Sequence, residues 1–223
     1  GQNFANPAIT ARIVMLVSFA SAMTNFTQPT LWRYDAVASA TPLSELSALD
    51  MTGDIPSQIK TLANGGNLPE LKEMLFGVRA GCIGETCAAA LLLGAVYLIA
   101  RGIISVRIPF AYIATVGVFM LAVSHGSLTF TAYELTAGGL LLGAFYMATD
   151  YTTSPMSKKG KVVFGIGCGL LTSVIRLYGS LPEGVSYSIL LMNIACPLIE
   201  KACRPGYFGQ QKTEKKKKEE TAA

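Results

Sequence analysis

Apolar residues run along this chain in long stretches separated by short polar joints. A helix that crosses a bilayer needs roughly 17–25 mainly apolar residues. Six stretches approach that length: Ala5–Thr24, Ile83–Ala100, Ile108–Val123, Leu135–Thr149, Val162–Leu177 and Val185–Cys203. Several are short and glycine interrupts most of them, so their small and polar positions are expected to face neighbouring helices. The pattern predicts an all-α polytopic integral membrane protein with about six transmembrane helices. Between the first two stretches lies a long segment, Asn25–Cys82. Within it Pro42–Met51 and Leu68–Val78 read as short amphipathic helices, split by the turn signal Asn64-Gly65-Gly66-Asn67.

Composition agrees. Of 223 residues, 51% are hydrophobic and 14% charged, and the mean hydropathy is +0.44. A soluble domain carries roughly 25% charged residues, so a soluble enzyme is disfavoured and disorder is excluded for the bulk of the chain. The net charge is +4. Part of it sits in a tail, residues 206–223, with five lysines and three glutamates. No basic face with interleaved aromatics accompanies the rest, so a nucleic-acid partner is not indicated. Residues 1–205 read as the membrane domain and 206–223 as a cytoplasmic lysine-rich tail. With the tail inside, Lys158, Lys159, Lys161, Arg101 and Arg107 also fall inside, and Arg12 is assigned to the inner end of the first helix. Segments Ser124–Glu134 and Tyr178–Gly184, neither of which contains lysine or arginine, fall outside, and so does Asn25–Cys82. That long loop carries four basic against six acidic residues. Loops of this length without function are uncommon.

Other candidate chemistry is thin. Cys82, Cys87, Cys168, Cys196 and Cys203 include no C-x-x-C and read as free thiols in apolar helices. Gly165-Ile166-Gly167-Cys168-Gly169 lacks the preceding strand of a dinucleotide loop. Its Gly165 and Gly169 form a close-packing G-x-x-x-G instead. His125, the sole histidine, falls in a short outer loop. Arg12, Arg176, Glu134 and Glu200 lie near span ends, where they are expected to snorkel to an interface.

The segment Asp35-Ala36-Val37-Ala38-Ser39-Ala40-Thr41-Pro42-Leu43 is small and ends in a hydroxyl before proline. Pro42 steers Thr41 away from helical backbone, so Thr41 reads as the N-cap of a helix with Pro42 at its first position and Glu45 nearby. Gly84-Glu85-Thr86 opens a helix on the same outer side. Thr149-Asp150 closes another at the cytoplasmic side, where an acid opposes the helix dipole. Either a capping turn through Thr152 and Thr153 or a partner, flavin or cation, accounts for Asp150.

Residues Asp35 to Leu43 resemble the flavin-attachment segment of the family that contains the D subunit of the Rnf complex and the B subunit of the Na+-translocating NADH:quinone reductase. The resemblance extends through Gly1-Gln2-Asn3-Phe4-Ala5-Asn6-Pro7-Ala8, Gly81-Cys82-Ile83-Gly84-Glu85-Thr86, Arg107-Ile108-Pro109, Gly143-Ala144-Phe145-Tyr146-Met147-Ala148-Thr149-Asp150 with Thr153-Ser154-Pro155, Pro182-Glu183-Gly184, Asn193 and Pro197-Leu198-Ile199. It implies FMN joined to Thr41 by a phosphoester, with Asp35, Ser39, Ala40 and Pro42 as its sequence context. Ser39 stands where the family often has glycine. It also implies cofactor contacts from Gly84, Glu85 and Thr86, and from Thr149 and Asp150, with a noncovalent riboflavin as a second candidate cofactor. The implied function is an electron-carrying subunit of a ferredoxin:NAD+ oxidoreductase that couples redox to Na+ or H+ movement in a bacterial inner membrane. Its flavin loop would be extracytoplasmic and its C-terminus cytoplasmic. The implied partners are the other subunits, among them a second flavin subunit and iron–sulfur subunits. Family members carry further helices before the G-Q-N element. The rivals are a quinone-reductase subunit, a non-redox transporter or channel, and a structural anchor.

Overall fold

The computed structural model describes residues 4–24, 26–27, 38–39, 41–51, 53–66, 68–77, 81–82, 84–179 and 183–203. The chain order is α1 (Pro7–Ser18), α2 (Ala20–Thr24), β1 (Phe26–Thr27), β2 (Ala38–Ser39), α3 (Pro42–Ser47), α4 (Ile55–Asn64), α5 (Leu71–Phe76), α6 (Ala88–Ala100), α7 (Arg107–Val123), α8 (Leu128–Thr136), α9 (Leu140–Leu142), a π-helical turn (Gly143–Met147), α10 (Lys158–Tyr178) and α11 (Val185–Ala202). Among the described residues the fold is all-α apart from one two-residue antiparallel pairing, Phe26 with Ser39 and Thr27 with Ala38.

Local chemistry starts the helices. Asn6 caps α1 by accepting the backbone N–H of Ala8 at 3.0 Å, and Pro7 takes the first position, where no N–H is needed. Ser157 caps α10 through the Gly160 N–H at 2.9 Å. Ser127 does the same for α8 through Phe130.

All six apolar stretches contain helix, but their lengths differ. Among the described residues only α10, with 21 residues, and α11, with 18, are long and apolar enough to cross a membrane by themselves. Helices α1, α6 and α7 are apolar but shorter. The stretch expected as one helix over Leu135–Thr149 is a bent pair. Helix α8 and the segment Leu140–Met147 meet at 64°. The break falls at Ala137-Gly138-Gly139, where Gly138 takes a positive φ of 62° that disfavours any side chain. The chain is thus a polytopic membrane protein whose described spans number two, or three with the bent pair counted as one.

Helix α10 is the hub. It lies along α7 and then α11. A Cβ on Gly165 would sit 2.8 Å from both Ala111 Cβ and Ile108 O, and one on Gly169 would sit 2.6 Å from Thr115 Cβ. The G-x-x-x-G reading therefore holds: two backbones touch where side chains would not fit. A buried hydroxyl cluster ties the same three helices together. Tyr112 Oη lies 2.6 Å from Thr172 Oγ1 and 3.1 Å from Ser188 Oγ, and the latter two are 2.7 Å apart. Ser188 also donates to Val185 O at 2.8 Å. Each hydroxyl of this cluster thus has a partner, as an apolar interior demands. Outward-facing Val96, Phe110, Val118 and Leu198 remain exposed, as lipid-facing residues would.

The described residues between 41 and 77 are not a loose loop. Leu43, Leu46, Ile55, Ile59, Leu68 and Met74 are buried in the same core as Tyr112, Phe130 and Leu140. Tyr133 on α8 donates to Pro69 O at 3.1 Å, fastening this cap to the bundle. The expected helices appear shortened as α3 and α5. Helix α4 was not foreseen; it starts after Asp54 with proline in its first turn and stops at Gly65. Asn67 of the expected turn lies outside the described residues, as do Arg33, Arg79, Pro182 and the lysine-rich tail.

Candidate functional site: a helix break beneath Thr41

Thr41 is the N-cap of α3. Its backbone is extended (φ −73°, ψ 148°), and Pro42 follows at the first helical position. Its Oγ1 accepts the Ser44 N–H at 3.3 Å, and Ser44 Oγ returns a bond to Thr41 O at 2.7 Å. The side chain is half-buried, while Pro42 and Leu43 after it are buried. Ser39 contributes backbone to the short pairing two residues upstream. Asp35 and Ala40 lie outside the described residues.

Beneath this helix lies the break between α8 and α9. A Cβ on Gly138 would come within 2.9 Å of Leu43 Cδ2 and 3.3 Å of Arg176 Nη2. Leu43 and the Arg176 guanidinium thus both close on the space where a side chain at Gly138 would stand. Arg176, on α10, is almost wholly buried and pairs with Glu134 of α8 at 2.9 Å. Its Nη1 also donates to Glu134 O at 2.7 Å and its Nη2 to Ala137 O at 3.2 Å. Those carbonyls lie at the end of α8, where intrahelical donors run out.

Glu85 reaches the other side of the break. It is 2% exposed. The turn before α6 folds around it: Cys82 N–H donates to its Oε1 at 3.1 Å, Glu85 N–H returns to Cys82 O at 3.1 Å, and Gly84 supplies a φ of 89°. Its Oε2 faces Gly139, where a Cβ would lie 2.8 Å away. Nearby, Arg12 of α1 bonds Glu183 at 2.6 Å and Cys82 Sγ at 3.4 Å, and stands 4.0 Å from Glu85 Oε2. Burial and the neighbouring carboxylates Glu85 and Glu183 push the Cys82 thiol up to about 12. The Cys82, Glu85 and Glu183 ligand atoms lie within 4.8 Å of one another. Arg12 is the cation among them.

These contacts correct two expectations. Arg12, Arg176 and Glu134 do not snorkel; they turn inward and are paired, because a buried charge is tolerated only with partners. Arg12 also meets Cys82 and Glu183, both assigned outside, so it cannot be counted at the inner end of α1. Glu200 does reach the surface, where it accepts the Met156 N–H at 3.0 Å.

Glu85 is thus brought to the break, with Gly84 and Thr86 on either side of it in the same turn. Thr149 and Asp150 are not gathered there. They follow the π-helical turn, ten residues along from Gly139, which is roughly 15 Å of helix. Asp150 Oδ2 accepts Thr152 Oγ1 at 2.8 Å and Thr153 Oγ1 at 3.1 Å, the first of the two alternatives the sequence left for it. Thr149 Oγ1 donates back to Phe145 O. Sequence reasoning missed Arg176, Gly138 and Gly139 as parts of this site. The paired Gly138-Gly139 inside an apolar stretch was the available signal.

Comparison with known proteins places the arrangement. Residues 1–209 match the NQR2, RnfD, RnfE family. Over 98% of its length the chain is 46% identical to the D subunit of the Na+-translocating ferredoxin:NAD+ oxidoreductase complex of Acetobacterium woodii. Over 95% it is 43% identical to the D subunit of the proton-translocating ferredoxin:NAD+ oxidoreductase complex of Clostridium ljungdahlii. Over 94% it is 36% identical to the D subunit of the ion-translocating oxidoreductase complex of Stutzerimonas stutzeri. The chain spans 63%, 63% and 64% of those relatives. With the family matched along nearly the whole sequence, the chain belongs to the NQR2, RnfD, RnfE family.

Proposed function

We propose that this chain is part of the D subunit of an ion-translocating ferredoxin:NAD+ oxidoreductase, and that it carries FMN on Thr41 through a phosphoester. The observation that carries the reading is the similarity to subunits of that name along almost the entire chain, with Ser39-Ala40-Thr41 at the head of α3.

The residues present fit the cofactor. As N-cap, Thr41 uses an oxygen lone pair to accept the Ser44 N–H, while its proton makes only a 3.3 Å contact to Ser44 Oγ. Esterification removes that proton and leaves an oxygen that still accepts, so capping and attachment are compatible. Thr41 is an acceptor of the modification and performs no catalysis. Bound flavin supplies one- and two-electron redox chemistry. The chain's task is to hold it. Leu43 and Leu46 anchor α3 in the core, so the attachment point is fixed to the bundle rather than to a free loop.

Gly84, Glu85 and Thr86 would shape the floor near that point. Thr149 and Asp150 would serve at the opposite end of the bent span. Electrons would pass between this flavin, a second flavin subunit and iron–sulfur subunits in a bacterial inner membrane. The flavin side would face outward and the C-terminal tail the cytoplasm. The coupled ion is Na+ or H+; the relatives' names include both. A noncovalent riboflavin is the second candidate cofactor.

In-gel flavin fluorescence of the denatured, full-length subunit from the purified complex tests this. A fluorescent band that disappears in Thr41→Ala is expected. A dark band for the unaltered subunit, from a host that flavinylates other substrates, overturns the redox reading in favour of a transporter or anchor.

A further inference from the structure

The buried ion pair at the helix break raises a question of purpose. Two charged groups buried in a protein interior are costly to desolvate. Arg176 does more than neutralise Glu134. Its planar fork reaches Glu134 Oε2 and O through Nη1 and Ala137 O through Nη2. A guanidinium matches that set of acceptors; an ammonium, with its donors around one point, does not. The two carbonyls are those left without helical donors where α8 stops, and an apolar surrounding supplies no water to replace them.

The geometry extends upward from the break. Gly138, held at φ 62°, lies between the Arg176 fork and Leu43. Space there is closed on both sides, since a single added carbon would meet Leu43 at 2.9 Å and Arg176 at 3.3 Å. Leu43 is 2% exposed and stands two residues after Thr41, in the first turn of α3. Pro42 between them has a fixed φ, so Thr41 and Leu43 move as one body. A shift of the break, which the guanidinium holds through Glu134 O and Ala137 O, is therefore passed through Gly138 and Leu43 to Thr41.

We infer that Arg176, with Glu134 and Gly138, is a positioning residue for Thr41: it locks the helix break that forms the seat of α3, and so fixes where the group carried on Thr41 is held. The docking of α3 stands on the geometry alone. Its consequence for electron transfer rests on the flavin reading above.

The test has two arms, both in the full-length subunit within its native complex. The first needs no flavin. Thr41→Cys is labelled with a membrane-impermeant maleimide, and labelling of the unaltered subunit is subtracted for its native cysteines. Adding Gly138→Ala, or the charge-neutral pair Arg176→Gln with Glu134→Gln, raises the labelling rate of Thr41→Cys by about fivefold or more as the seat opens. Arg176→Lys keeps Glu134 paired, so it is the variant surest to fold; it gives a smaller rise because it cannot hold both carbonyls. Rates within about twofold of Thr41→Cys alone in every variant that assembles overturn the inference.

The second arm keeps Thr41 and follows reduction of its flavin in a single turnover. Fluorescence of the denatured band is expected to stay at the parental level, while reduction slows on the order of tenfold through misplacement. Leu43→Ala, which removes the methyl that an alanine at 138 would strike, restores part of the rate to Gly138→Ala. Unchanged reduction in a fully flavinylated Arg176→Lys or Gly138→Ala subunit overturns the electron-transfer consequence. A parent without a fluorescent band sinks the flavin reading, and the labelling arm still decides the docking.

Discussion

Two arginines point into the bundle, and they are held in contrasting ways. Arg176 has one acid, Glu134, and its side chain is 2% exposed; two backbone carbonyls take further bonds. Arg12 has two acids and a thiol around it, and its side chain and that of Glu183 are 18% and 21% exposed. The first is a sealed, one-to-one pair at a break in a helix. The second is a wetter group with an excess of acid, joining α1 to the turns before α6 and α11. The difference teaches where charge serves geometry and where it can respond to its surroundings. A sealed pair has no alternative partner, so it fixes a shape. A half-open group with surplus acid can exchange partners at little cost.

Breaking the sealed pair should cost most. Arg176→Leu leaves Glu134 buried and unpaired and is expected to destabilise by about 3–5 kcal/mol, read as lost assembly or a lowered Tm of the detergent-solubilised complex. If the pair were merely electrostatic, Arg176→Leu with Glu134→Leu would recover everything. Recovery is expected to be partial, because Glu134 O and Ala137 O still lose their donor, at about 1–3 kcal/mol for a stranded group.

Arg12→Gln should cost less, about 1–2 kcal/mol by the same melt, since water and the remaining donors can reach Glu183. An Arg12→Gln effect as large as that of Arg176→Leu would erase the distinction between the two sites. Near neutral pH the smallest effect on stability is expected from the Cys82 thiol, whose contribution appears only in alkali. Its raised value means the folded protein keeps the proton between about pH 9 and 12 while the unfolded chain loses it. Stability therefore falls as pH rises through that window and is unaffected below it. Maleimide modification of Cys82 at about pH 8, followed by mass spectrometry, should be far slower than that of an unhindered thiol. Rapid modification at that pH would show the Arg12 group to be more open than described.

The sequence made a good part of this legible. Thr41-Pro42 announced its helix start, because capping needs only neighbours. The Gly165–Gly169 spacing announced a close helix contact. Asp150 with Thr152 and Thr153 was readable for the same local reason. What escaped was non-local. Arg12 finds Glu183 across 171 positions and Arg176 finds Glu134 across 42, and no short-range pattern pairs them. The break at Gly138 was hidden by hydropathy, which scores an apolar stretch without asking whether it stays straight. Its meaning appears only once Leu43 and Arg176 are placed on either side.

The hydroxyl cluster of Tyr112, Thr172 and Ser188 has an orientation as well as a location. Ser188 hands its hydrogen to Val185 O, so it can only receive from the other two. Thr172 must then give to Ser188, and Tyr112, closest to Thr172, gives to Thr172. The hydrogens run in single file from Tyr112 to a backbone carbonyl, each oxygen giving once. Such a file has a head and a tail. Dropping the head, Tyr112→Phe, leaves every remaining hydrogen with a receiver. Cutting near the tail, Ser188→Ala, strands the hydrogen of Thr172 between three helices. The same three side chains are therefore unequal in replaceability, an asymmetry written into the order of the file rather than into the burial of its members.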